Sequence, residues 1–118
     1  SAARADYAEA AAVVLTTPQP ANVIYELAGD EAYTLSQLAE EVTRVSGKAV
    51  VYQDLPQVEF AAVLEQAGLP PEFAQLLADS DVGASRGGLF DDSHTLSQLI
   101  GHATTSWQVM VRAAVGGA

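Results

Sequence analysis

The chain has 118 residues, 49% of them hydrophobic, which is enough to bury one core and excludes a disordered tail. Fifteen acidic residues against five basic ones give a net charge of -10. Nucleic acid and anionic membrane surfaces are therefore excluded as expected partners, because phosphate groups are bound by clustered lysine and arginine. No apolar run reaches the roughly 20 residues of a membrane helix. The absence of cysteine removes disulfides and thiolate chemistry, and suits a reducing cytoplasm.

The first predicted elements are a helix and a strand. Residues 5–17 are rich in alanine and valine, with Asp6 as the expected N-cap, Glu9 as its capping-box partner and a proline after the last turn. Residues 22–28 form a short run rich in β-branched and aromatic side chains. That run predicts a strand buried on both of its faces.

A second helix and a second strand follow. Thr34 and Gln37 make a capping-box pattern, and apolar residues recur behind them at helical spacing. Gly47 stands where a left-handed C-cap residue is needed, and residues 49–53 predict the next strand. A strand, a helix and a strand within about thirty residues indicate a βαβ unit, so the two strands should be parallel.

The remainder of the chain is predicted to be helical around one long loop. Residues 80–93 contain three glycines and no periodicity, which indicates the loop. Thr95 opens a second capping-box pattern after it, and Trp107 and Met110 are predicted to face the core from the last helix. The four helices are predicted at residues 57–67, 70–78, 95–100 and from about 104 onward.

The two predicted strands are too few for a stable sheet. A parallel strand as apolar as residues 22–28 expects hydrogen-bonded neighbours and helices on both sides. The sequence therefore predicts the end of an α/β domain whose remaining strands are missing. The first residue, Ser1, is not methionine, and we expect the chain to begin at a processing point or a boundary.

No catalytic motif is found in the sequence. The nine glycines do not form the GxGxxG pattern of a dinucleotide-binding turn, and no tyrosine is followed four residues later by lysine. His94 and His102 are interpreted as capping or solvating helix ends, because neither stands in a metal-ligand spacing. The acids around the loop are likewise interpreted as helix caps and solvated charges rather than cation ligands: Asp79, Asp81, Asp91 and Asp92.

The glycine-rich loop has two possible functions. Gly83, Gly87 and Gly88 make it compliant, and Phe90 gives it an apolar tip. Arg86 is the one base in an acidic segment, so it either neutralises its neighbours or turns toward a ligand when the loop closes.

Several stretches resemble NmrA-like members of the atypical short-chain dehydrogenase superfamily. They are residues 4–8 (RADYA), 23–30 (VIYELAGD), 34–39 (TLSQLA) and the Ser-Gly pair at 46–47. The loop and the helix after it more specifically resemble the C-terminal part of bacterial type 2 NAD(P)H:quinone oxidoreductases, at residues 77–85, 87–93 and 95–102. The resemblance covers nearly the whole chain and weakens from Trp107 onward.

The resemblance implies a parent enzyme whose N-terminal Rossmann half binds NADPH. Residues 1–118 would then be a single α/β fragment, the C-terminal portion of a Rossmann-type NAD(P)-binding protein. This fragment would consist of one parallel βαβ unit and a mostly helical substrate-side lobe. It would supply a sheet strand and one wall of the quinone pocket, and most cofactor contacts would lie in the missing half.

The implied activity is hydride transfer from NADPH to a quinone by the intact, cytoplasmic parent, with the fragment alone inactive. Substrate contacts are expected from Arg86, Gly87, Gly88 and Phe90, with no catalytic side chain and no metal in the fragment. The implied partners are the quinone, the missing Rossmann half and a second copy in a homo-oligomer. The alternative is an NmrA-like regulator that senses NAD(P) and binds a protein partner without turnover.

Overall fold

The structure is a computed structural model that describes residues 1–116. Six helices are found in this part of the chain: α1 (Arg4–Thr16), α2 (Leu35–Ser46), α3 (Gln57–Gln66), α4 (Pro71–Ser85), α5 (Thr95–Ile100) and α6 (Trp107–Gly116). They form two compact units. Unit 1 comprises Ser1–Tyr52 and the chain from Asp91 onward, and unit 2 comprises Gln53–Phe90. None of the described helices is long and apolar enough to cross a membrane.

In unit 1, α1 packs against α5 and α2 packs against α6. The buried core of the first pair is small and consists of Ala10, Leu96 and Ile100. Short alanine side chains on α1 let α5 approach closely, and Tyr7 and Leu27 cover the edge of this core. In unit 2, α3 packs against α4, and Ala74 and Ala78 of α4 are fully buried in that unit.

The boundaries of α2 confirm the sequence prediction. The Thr34 side chain accepts a hydrogen bond from the Gln37 amide, and the Gln37 side chain accepts one from the Thr34 amide, which completes the capping box. Gly47 ends the helix in the left-handed conformation at φ 69°. Both features depend on residues within one helical turn, so local sequence is sufficient to predict them.

The two predicted strands are wrong: no strand is found in residues 1–116. A strand needs a ladder of hydrogen bonds to a neighbour, and neither predicted segment has one in this part of the chain. The backbone of Val50 pairs instead with the Thr43 hydroxyl, through both its N–H and its carbonyl. Burial of residues 22–28 on both faces was also wrong, since Ile24 is 89% exposed. The βαβ unit is therefore not formed within these residues.

The starts of three helices also differ from prediction. The N-cap of α1 is Ala3 and not Asp6, and the N-cap of α5 is His94, whose side chain makes no cap hydrogen bond. Asp6 is drawn into a long-range contact instead, and the Thr95 hydroxyl pairs with Ser93. Helix α6 begins at Trp107, somewhat later than predicted.

The predicted loop is shorter than expected because α4 continues to Ser85. The hydroxyls of Ser80 and Ser85 bond back to carbonyls three or four residues earlier, which lets these polar residues remain in the helix. Gly83 is helical as well, at a cost of about 1 kcal/mol relative to alanine. The first six residues assigned to the loop therefore belong to a helix.

Candidate functional site

The four predicted substrate contacts lie together at the end of α4 in unit 2. Arg86 is the C-cap residue, Gly87 follows with φ 86°, and Phe90 is 64% exposed. A Cβ atom at Gly88 would lie 2.8 Å from the Gly83 carbonyl oxygen, so this turn requires glycine. No ion pair involves the Arg86 guanidinium among residues 1–116, so the acids around it do not neutralise it directly.

This turn does not fit a dinucleotide phosphate. The amides of Arg86, Gly87 and Gly88 donate to the carbonyls of Gly83 and Ala84, at 3.0 to 3.2 Å. Those donors are satisfied within the turn, and the C-terminal end of a helix carries partial negative charge. This turn therefore offers no free amide donors for the pyrophosphate of NADPH.

A cavity with a volume of about 540 Å³ lies in unit 1. Its walls come from the N-terminal segment, the turn at residues 29–33, the inner face of α2, the segment 103–106 and α6. Ten of its nineteen lining residues are apolar: Ala2, Ala3, Leu38, Val42, Ala103, Trp107, Met110, Val111, Ala114 and Val115. No predicted substrate contact is among its lining residues.

An aromatic pair forms one wall of this cavity. The rings of Tyr33 and Trp107 lie 4.9 Å apart between centroids and are tilted by 30°. The Tyr33 hydroxyl pairs with the Ser1 hydroxyl at 2.6 Å, which holds the ring at one edge. Trp107 and Met110 were predicted to be core residues. This was wrong, since Met110 is 41% exposed and both side chains line the cavity.

Asp30 holds the segment that leads into α6. One carboxylate oxygen accepts from Ser97 at 2.8 Å and pairs with His94 Nδ1 at 2.9 Å, and the other accepts from the Thr104 amide at 2.9 Å. The Asp30 amide in turn donates to the Thr104 hydroxyl. The bond to His94, then those to Thr104 and Ser97, lower the pKa of Asp30 from 3.8 to about 2.

Asp6 makes a similar contact with Thr105, the residue after Thr104. Its carboxylate accepts from the Thr105 amide at 2.7 Å and from the Thr105 hydroxyl at 3.0 Å. Only 3% of Asp6 is exposed, so these bonds replace the water that the charge loses on burial. The carboxylates of Asp30 and Asp6 thus hold two consecutive residues of the cavity wall, Thr104 and Thr105, by hydrogen bonds.

Both histidines of unit 1 pair with carboxylates. His102 Nε2 lies 3.0 Å from Glu9 of α1, and its Nδ1 lies 2.8 Å from the Ala103 carbonyl. Hydrogen bonds to Ala103 and Glu9 raise the pKa of His102, and the hydrogen bond to Asp30 raises the pKa of His94. His94 does stand at the N-cap position of α5, as the capping interpretation expects, but its side chain bonds to Asp30 and makes no cap hydrogen bond.

Sequence reasoning missed the residues that build this cavity. Asp30 and Thr104 are 74 residues apart, and Asp6 and Thr105 are 99 apart, so no local pattern joins them. One signal was available: Asp30 is an acid directly after an apolar run, at the predicted carboxyl end of a strand, where ligands of α/β proteins commonly bind.

Comparison with known proteins identifies one clear relationship. No family model matches the chain. Quinone oxidoreductase 2 of Escherichia coli is 61% identical over 106 residues, which are 90% of this chain and 37% of that protein. The chain is homologous to part of that enzyme. The expected resemblance to bacterial type 2 quinone oxidoreductases is thereby confirmed, whereas the broader NmrA-like label is not.

Solved structures agree with this homology. The crystal structure of the NADPH-dependent quinone oxidoreductase QOR2 from Escherichia coli superposes with a TM-score of 0.88 at 56% identity. It covers 99% of this chain, which matches 41% of that one, and a second structure of it is a complex with NADPH. Triphenylmethane reductase of Citrobacter sp. superposes equally well at 34% identity. The chain thus spans about two-fifths of the length of these relatives.

Proposed function

We propose that this chain is the C-terminal, substrate-side portion of an NADPH-dependent quinone oxidoreductase. The observation that carries the proposal is the 61% identity to Escherichia coli quinone oxidoreductase 2 across 90% of the chain. In the proposed reaction NADPH would supply a hydride and solvent a proton, so that NADPH would be oxidised and the quinone reduced to a hydroquinone. Such a reaction needs accurate placement of two planar rings more than it needs an acid or a base.

The proposed contribution of residues 1–118 is structural as well as substrate-binding. The two exposed apolar segments that contain Ile24 and Val51 fit a role in a larger parallel sheet, completed by strands of an N-terminal Rossmann half. That half would also hold NADPH, since the glycine turn of this chain cannot. Together these roles make the chain one fragment of an NmrA-like reductase.

The substrate contacts proposed on the glycine turn are Arg86, Gly87, Gly88 and Phe90. What supports them is exposure: the Phe90 ring is largely free of protein contact, and the Arg86 guanidinium makes no ion pair within the described residues. In the full-length protein, Arg86→Ala and Phe90→Ala should each lower kcat/KM for the quinone about tenfold, with the melting temperature unchanged. Unchanged kinetics in both variants would remove this turn from the substrate site.

The function itself is tested with the full-length protein that contains these residues. Purified protein is mixed with NADPH and 1,4-naphthoquinone, and the loss of NADPH absorbance is followed. We expect quinone-dependent oxidation of NADPH that obeys saturation kinetics. A protein that binds NADPH but oxidises none of it with any quinone would support the regulator alternative, in which a protein partner takes the place of the substrate.

The remaining parts of the proposal concern the cellular location and the oligomeric state of the protein. A cysteine-free chain with a net charge of -10 suits the reducing cytoplasm. Exposed apolar side chains on both units are available for contact with a second copy in a homo-oligomer as well as with the Rossmann half. Sedimentation of the full-length protein distinguishes these two partners, because the Rossmann half is then present. A mass greater than that of one chain would show that a homo-oligomer forms as well.

A further inference from the structure

The unit 1 cavity has the size and composition of a site for an organic ligand. Its volume of about 540 Å³ lies within the range of small-molecule sites, which are typically apolar with a few polar groups. Tyr33 and Trp107 present aromatic rings on one wall, and Met110 adds a polarisable thioether beside them. Flat, electron-poor rings stack well on such a surface.

The polar residues at this cavity are Ser1, Arg4, Asp30, Glu31, Tyr33, Thr104, Thr105 and Ser106. Arg4 lines the cavity and makes no ion pair within residues 1–116. A guanidinium can donate to the carbonyl oxygen of a ligand and stabilise the negative charge that develops there during reduction. The neighbouring Thr104 and Thr105 hydroxyls are already bonded to Asp30 and Asp6, so Arg4 is the available cationic donor.

The walls of the cavity are held before any ligand arrives. Asp30 and Asp6 fix the segment that leads into Trp107, and the Gly29 amide donates to the Ser1 carbonyl. A Cβ atom at Gly29 would lie 2.5 Å from that carbonyl oxygen, so the close approach depends on glycine. A preformed cavity binds a rigid ligand without an added ordering cost.

We propose that this cavity binds the quinone ring, stacked against Tyr33 and Trp107 with one carbonyl oxygen toward Arg4. The identity of the occupant rests on the proposed function, while the site rests on the geometry of unit 1. This cavity is an alternative to the glycine turn at Arg86–Phe90 as the place where the quinone ring binds, and the variants below distinguish the two.

Two adjacent alanines of α6 provide a matched test. Ala114 lines the cavity and Ala113 does not, and both are exposed residues of the same helix. A phenylalanine at either position is compatible with the exposed helix surface, but only Ala114→Phe fills the cavity. Each variant is made in the full-length protein, and binding of 1,4-naphthoquinone is measured by equilibrium dialysis without NADPH.

We expect Ala114→Phe to raise the Kd for 1,4-naphthoquinone at least about tenfold, and Ala113→Phe to leave it within about twofold of the unchanged protein. Equal binding by both variants would overturn the cavity site. Loss of binding only in Phe90→Ala would also overturn it and place the quinone at the glycine turn.

A second measurement keeps the test decisive if Ala114→Phe does not fold. Trp107 emission, taken as the difference from a Trp107→Phe variant, should be quenched by 1,4-naphthoquinone in the unchanged protein. Absence of quenching at saturating quinone would overturn the site. The proposed function fails separately, when 1,4-naphthoquinone binds and quenches but NADPH is not oxidised.

Discussion

Replacing Asp30 with asparagine should remove an acid-dependent part of the stability. The hydrogen bonds to His94, Thr104 and Ser97 lower the pKa of Asp30 from 3.8 to about 2. Because one pKa unit corresponds to about 1.4 kcal/mol, this shift is equivalent to about 2.5 kcal/mol. Partial exposure of the Asp30 side chain reduces the expected contribution to about 2 kcal/mol or less. A lowered pKa contributes stability that is complete above the ordinary value and is lost as the pH falls through the folded value.

The assay is urea unfolding of the unchanged chain and of Asp30→Asn at a series of pH values. The difference between their free energies of unfolding should shrink by up to about 2 kcal/mol between about pH 5 and about pH 2, because the other carboxylates titrate equally in both. His94 is the largest cause of the lowered pKa, so His94→Ala should reduce this pH dependence. A difference that stays constant over that range would refute the reasoning.

Three further predictions are tested by unfolding experiments. Thr34→Ala should lower the free energy of unfolding by about 1 kcal/mol, because it removes the capping box of α2. Gly83→Ala should raise it by up to about 1 kcal/mol, since its Cβ meets open space within a helix, whereas Gly88→Ala should lower it by about 1–3 kcal/mol through its clash with a carbonyl. The raised pKa of His102 contributes stability that is present below 6.5 and lost as the pH rises through the raised value, and Glu9→Gln should weaken that dependence.

Local features of this protein could be predicted from its sequence. The capping box at Thr34 and the left-handed Gly47 involve partners within one turn, so residue type and spacing determine them. Gly101 likewise ends α5 as a left-handed C-cap. The sequence at residues 77–85 and 87–93 was specific enough to indicate the relationship to quinone oxidoreductases, which the 61% identity to the Escherichia coli enzyme supports.

The tertiary structure decided the roles of other residues, whose partners are distant in the sequence. Asp6 has the type and spacing of an N-cap, yet it binds Thr105 from inside α1, because two strong hydrogen bonds in a buried place outweigh one exposed cap. Residues 22–28 have the composition of a strand, but a strand exists only beside a hydrogen-bonded neighbour. The cavity could not be predicted for the same reason. Its walls come from segments that are up to about a hundred residues apart, and only folding brings them together.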